Sequence, residues 1–130
     1  MDIDIVSKDP TTPINVASMY APNGPHRENY AGRSFQSFSA CSSTKAGIHG
    51  LTLWLAGYWA ARGSTVNTIA PGAVYNDHSN EFQNRVGKLI MAGRMAEPKE
   101  IADVMLFLCS EGAGYMTGEL INVDGGFSGW

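Results

Sequence analysis

The chain has 130 residues, of which 44% are hydrophobic, a length that fits one soluble domain able to bury a core without disulfides or metals. Its net charge is −3 and only 16% of residues are charged, with no basic stripe to suggest nucleic acid and no acidic block to suggest a disordered tail. The longest apolar stretch, 48–61, is broken by His49, Gly50, Thr52 and Gly57 and falls short of the ~20 apolar residues a membrane span needs.

In chain order, residues 1–13 read as an N-terminal extension to a single domain over 1–130. Ile3 to Val6 has the makings of a short strand, but the few residues before Ile14 are too few for a parallel crossover. At most that segment folds back as an antiparallel edge. Residues 14–18 (INVAS), following Pro13, predict a short strand. Residues 19–37, punctuated by Pro22, Gly24, Pro25 and Gly32, predict a loop longer than most compact domains carry. From 38 to 62 the pattern is helical, with Ile48, Leu51, Leu55, Tyr58 and Trp59 on one stripe. Leu53 and Trp54 lie elsewhere on the helix, so it is apolar nearly all round, as for a helix buried on several sides or set at a subunit contact. Arg62-Gly63 makes a helix stop, a cation followed by a residue free to adopt the left-handed cap.

Residues 64–70 (STVNTIA) predict a second strand, ended by Pro71-Gly72, and 80–88 a short helix. Glu97-Pro98 opens a further helix, with Pro98 in the first helical position, Glu100 in the first turn, and Ile101, Val104, Met105 and Leu108 as its core stripe. Residues 119–124 (ELINVD) predict a third strand before Gly125-Gly126. Strand, helix, strand, helix, strand is the order of right-handed crossovers and a parallel sheet covered by helices, an α/β fold.

No charged segment precedes an apolar one at the N-terminus, so the cytoplasm is the expected location. Cys41 and Cys109 form no CxxC pair and read as reduced thiols. His26, His49 and His78 have no metal-ligand spacing, and no metal site is expected. Lys45 is the sole charged residue between Arg33 and Arg62, which raises the question of what a lone lysine does at the start of an apolar helix.

Five segments, in order, answer it: Ser18 closing INVAS, Lys45 in STKAG, VNTIAPGAV at 66–74, GRMAEPKEIADVMLFL at 93–108, and YMTGELINVDGG at 115–126. Together they resemble the short-chain dehydrogenase/reductase family over nearly all of 14–126. The resemblance implies the last three strands of that family's Rossmann-like sheet, with their helices as a three-layer α/β/α unit. The glycine-rich turn that meets the cofactor pyrophosphate in the family's first half has no counterpart among the glycines here.

By that resemblance the cofactor is NAD or NADP, and the chemistry is hydride transfer between a carbonyl and an alcohol, of a sugar or other polar compound. Ser18 takes the place of the serine that bonds the substrate oxygen. Lys45 takes that of the lysine that holds the nicotinamide ribose and lowers the pKa of a tyrosine one turn earlier. That tyrosine position is Cys41. A thiol is acidic enough, about 8.5 against about 10 for a phenol, but ends a whole ring short of where a phenol hydroxyl would be. Pro71, Gly72 and Val74 fall in the turn whose backbone meets the nicotinamide carboxamide, and Asn76 falls where polar side chains face the phosphates. Asn67 and Asp124 read as structural groups tying strand ends to loops. The 38–62 helix matches the family's dimer helix, implying pairing with a second copy or a full-length relative. Two functions follow: a nicotinamide-dependent oxidoreductase in truncated form, inactive alone, or a non-catalytic remnant serving as an interaction module.

Overall fold

A computed structural model of the chain describes residues 11–25 and 39–129. Three strands, β1 (Ile14–Val16), β2 (Asn67–Pro71) and β3 (Leu120–Val123), form one parallel sheet in the order β1-β2-β3. Ile14 pairs with Asn67 and Val16 with Ile69, while Thr68 pairs with Leu120 and Pro71 with Val123. Three helices connect or flank them: α1 (Ser39–Trp59), α2 (Asn80–Gly87) and α3 (Pro98–Leu108).

The central strand is buried from Asn67 to Ala70, and its alternating side chains serve two layers. Ile69, fully buried, packs with Leu108 and Ala113 on the α3 side, where Ile101, Val104, Met105 and Ile121 complete the cluster. Burying a side chain of this size contributes about 1.5–3 kcal/mol. Thr68 points to the other face, where its hydroxyl meets Thr52 of α1 at 2.5 Å. The result is the helix–sheet–helix layering expected of the sequence. A second cluster, Val86, Ile90, Met95 and Phe127, sits beyond the carboxyl ends of the strands, with Met19, Tyr20, Tyr75 and Phe82 packed against it.

Helix boundaries follow their local chemistry. The helical run from α1 continues as a 3-10 turn, Ala60–Arg62, and stops at Gly63, whose φ of 73° is the left-handed cap. Ser79 caps α2 by accepting from Phe82 N–H. At α3, Pro98 occupies the first turn and the Glu100 carboxylate reaches back to the Glu97 N–H at 2.8 Å.

Two expectations need correction. The strands are shorter than 14–18, 64–70 and 119–124. Ser64 does not pair in the ladder but accepts from Thr11 N–H, and Val66 N–H is taken by the Thr117 hydroxyl. The face of α1 that meets the sheet carries Thr52 and Ala56, both buried, with Ile48, Leu55 and Trp59 half-buried. Leu51 and Tyr58, on the same apolar stripe as Ile48, Leu55 and Trp59, are each 52% exposed rather than buried, because a hydroxyl-lined strand draws the small side chains of the helix inward. Of the loop 19–37, only the part up to Pro25 lies within the described residues, and Met1 to Pro10, with the Ile3–Val6 segment, lie outside them.

Candidate functional site

β1 ends at Val16, and the chain turns at once. Ala17 N–H donates to Ile69 O and Met19 N–H to Pro71 O, each at 2.8 Å, so the segment stays tied to β2 past its last paired residue. Ser18 lies between them. Its Oγ accepts from Tyr20 N–H at 3.2 Å and its carbonyl from Ala21 N–H, which fixes the hydroxyl at the carboxyl end of the sheet, where its own proton meets no acceptor among the described residues.

Lys45 stands in the second turn of α1, and its Nζ donates to Val16 O at 3.3 Å. An ammonium has three donors, so this bond anchors the side chain over the end of β1 and leaves two for a ligand. Two turns further along α1, Thr52 fixes the helix to the sheet. Its Oγ1 donates to Ile48 O at 2.9 Å and accepts from Asn15 Nδ2 at 2.7 Å. Lys45 is thus anchored to the last residue of β1, two positions before Ser18. The Thr52–Thr68–Asn15 network was not anticipated. A threonine inside an otherwise apolar helix was the available signal.

Cys41 is exposed one turn before Lys45, and Cys109 is also exposed, both as free thiols. The ring of Tyr20 meets Phe127 edge-on at 6.2 Å and 74°.

At the end of β2, Pro71 and the following Gly72 join the loops after β1 and β3, since Pro71 O accepts from Met19 N–H and Gly72 N–H donates to Val123 O at 3.0 Å. A Cβ on Gly72 would lie 2.7 Å from the Asp124 Cα, so only glycine permits this approach. Val74 bridges to Ala96 through its neighbours: Ala96 N–H donates to Ala73 O and Tyr75 N–H to Ala96 O. The N–H and C=O of Val74 itself therefore face the opposite side, a donor and an acceptor suited to a carboxamide. Asn76 is exposed, and its N–H donates to His78 Nδ1 at 3.2 Å. Asn67 and Asp124 have the structural roles expected. Asn67 bonds Met116 O and Glu119 N–H. Asp124 accepts from Gly126 N–H, Ser128 N–H and the Ser128 hydroxyl.

A cavity of about 300 Å³ opens beside Gly72, between Arg94, Glu100 and the Asp124–Gly126 turn. It includes none of Ser18, Cys41 and Lys45, so it is a neighbour of the site rather than its centre. Arg94 and Glu100 form a bidentate pair at its rim, with both bonds at 2.7 Å. That guanidinium, together with the Glu97 N–H, holds the Glu100 carboxyl at about 2, well below the usual carboxylate range. Among the described residues, no group of three or more His, Cys, Asp or Glu is placed to hold a metal. Nor is any helix there long and apolar enough to cross a membrane.

The profile of the family described as enoyl-(acyl carrier protein) reductase matches residues 29–128. A 3-oxoacyl-[acyl-carrier-protein] reductase of Aquifex aeolicus is 46% identical over 89 residues, which are 65% of this chain and 36% of that protein. Galactitol 2-dehydrogenase (L-tagatose-forming) of Cereibacter sphaeroides is 39% identical over 98 residues, covering 71% of this chain and 39% of its own. A short-chain dehydrogenase from Leptospira borgpetersenii, solved with bound NAD+, superposes with a TM-score of 0.81 at 32% identity, over 90% of this chain and 44% of that one. A structure from Agrobacterium tumefaciens with bound NADP gives a TM-score of 0.77 at 29% identity, over 95% of this chain and 48% of that one. The chain thus spans well under half the length of these curated relatives.

Proposed function

We propose, for a chain that belongs to the short-chain dehydrogenase/reductase family, a part in nicotinamide-dependent transfer of hydride between a polar carbonyl compound and its alcohol, in the cytoplasm. The observation that carries this reading is the Lys45 Nζ bond to Val16 O at 3.3 Å, which holds the ammonium over the strand end that leads into Ser18. NAD or NADP supplies the hydride when bound. Lys45 would hold its ribose, the Val74 backbone its carboxamide, and Pro71 and Gly72 the turn that presents Val74, with Asn76 toward the phosphates. Ser18 would donate to the substrate oxygen.

The weak point of that assembly is Cys41. A thiol that ends at the γ position does not reach where a phenol hydroxyl would meet the substrate, and a general acid must first be within bonding distance. These 130 residues acting alone therefore do not turn over carbonyl substrates. A second reading, a non-catalytic interaction module, draws support from α1. Leu51, Trp54 and Tyr58 form an exposed stripe, with the Trp54 and Tyr58 rings stacked at 5.1 Å. Across that stripe a second copy or a full-length relative would pair.

Fluorescence titration with NADH and NADPH tests the first point. The chain alone is expected to show no saturable binding, and its Cys41→Tyr variant none either; saturable binding in the submillimolar range would overturn the inactive reading. The same samples sedimenting as monomers at high micromolar concentration would remove the pairing.

A further inference from the structure

Arg85 lies in the last turn of α2, with its guanidinium 5.5 Å from the ring of Phe82. Phe82 stacks on His78 at 4.8 Å and 21°, and packs on the cluster that Met19, Tyr20 and Tyr75 also cover. α2 therefore closes over the loops that leave β1 and β2, on the carboxyl side of the sheet where Ser18 stands. Nε and Nη2 of Arg85 are both withdrawn from solvent, and neither meets an acceptor among the described residues. The ring face of Phe82 offsets part of the charge but offers nothing to an N–H donor. Glu81, one turn earlier, is exposed and does not pair with it; the ion pairs among the described residues are Arg94–Glu100 and Lys99–Asp103.

The two orphaned nitrogens are not an arbitrary pair. Nε and Nη2 form the side-on edge of the guanidinium, whose parallel N–H groups match the two oxygens of a carboxylate or phosphate. A guanidinium edge withdrawn from solvent and left unfilled is a costly form of unmet hydrogen bonding, although the rest of this half-buried side chain is less enclosed. We propose that this edge of Arg85 receives a two-oxygen anion, a carboxylate or phosphate group, carried by the substrate over the carboxyl end of the sheet. The substrate clause rests on the oxidoreductase reading and narrows it: the carbonyl or alcohol compound handled here bears an anionic group. The anion site itself stands independently of that reading.

The test is a titration of the full ¹⁵N-labelled chain, following the arginine Nε–Hε resonances by NMR. The probes are malonate and inorganic phosphate, with chloride at matched ionic strength as control. The Arg85 resonance, identified by its loss in Arg85→Lys, is expected to shift saturably with malonate, phosphate or both, and not with chloride. Saturation by malonate alone assigns a carboxylate ligand, and by phosphate alone a phosphorylated one. In Arg85→Lys, which keeps the charge and loses the fork, the responses of neighbouring α2 amides to the same probe should need at least tenfold more anion. Three results overturn the proposal: no saturable shift, equal shifts at Arg85 and Arg62, or an Arg85 edge already bonded to a carboxylate of the chain itself. The readout requires neither cofactor nor turnover. Saturable cofactor binding, which overturns the inactive reading, leaves the anion site standing, and a silent Arg85 beside the expected absence of cofactor binding removes the anion site alone.

Discussion

Thr52→Val isolates the contact that fixes the lysine helix to the sheet. Thr52 and Thr68 are both fully buried, and their hydroxyl oxygens lie 2.5 Å apart. Thr52 has one proton, and giving it to Ile48 O leaves Thr68 as the donor in the short bond, with Asn15 Nδ2 a second donor to the same oxygen. Valine keeps the shape and deletes the acceptor. The Thr68 hydroxyl is then stranded in a dry site, at about 1–3 kcal/mol, while half-buried Asn15 turns to water for about 0.5–1 kcal/mol. The expected loss is roughly 2–3 kcal/mol in urea unfolding followed by tryptophan fluorescence. Thr68→Val leaves Thr52 its other two partners and should cost about 0.5–1.5 kcal/mol. The double variant strands no threonine hydroxyl and should cost about 1 kcal/mol, less than Thr52→Val alone. A double variant that loses the sum of the two singles would refute the reasoning, because Thr68 would then not depend on Thr52.

Asn67→Ala removes a side chain that satisfies Met116 O and Glu119 N–H from a fully buried position. A loss of about 2–5 kcal/mol is expected by the same unfolding assay, and a loss under 1 kcal/mol would show that water replaces the amide. Glu100→Gln tests the pH linkage. The folded pKa, about 2, is below the unfolded value, so the carboxylate's contribution is complete above that unfolded value, about 4.3. It is lost as pH falls through this range toward 2. The stability gap between the native chain and Glu100→Gln should therefore shrink from pH 5 to pH 2, and added salt should narrow it at pH 5, since the pair is exposed. A gap that widens on acidification would contradict the assignment.

Much of the fold was legible because its punctuation is chemical. Gly63 takes the left-handed cap that Arg62-Gly63 announced, and Glu97, Pro98 and Glu100 open α3 as their residue types dictate. Lys45 reaches the end of β1 because strand–helix–strand order leaves few other arrangements. The inward face of α1 was not legible. Hydrophobic periodicity favoured Leu51 and Tyr58, whereas the sheet selected Thr52 and Ala56, since the partner was Thr68 and a polar pair buried together outweighs a pattern of large side chains. The fork edge of Arg85 was equally hidden, because an arginine on a short helix looks like any solvated cation until its surroundings are known. Val74 was named for its position, but the outward aim of its peptide groups depends on a bridge to Ala96, twenty-two positions away.

The sheet also dictates how the chain must assemble. β1 meets β2, and β2 meets β3, only across roughly fifty intervening residues, as parallel crossovers require. Each closure carries an entropic cost of about 3.5 kcal/mol before any strand bond forms. Helical turns in α1 and α3 form on the microsecond scale, but they cannot bring the strands together by themselves. Folding should then run on the slower timescale of chains dominated by distant contacts, in milliseconds to seconds. Its gating event is the capture of the five residues Asn67–Pro71 from both sides.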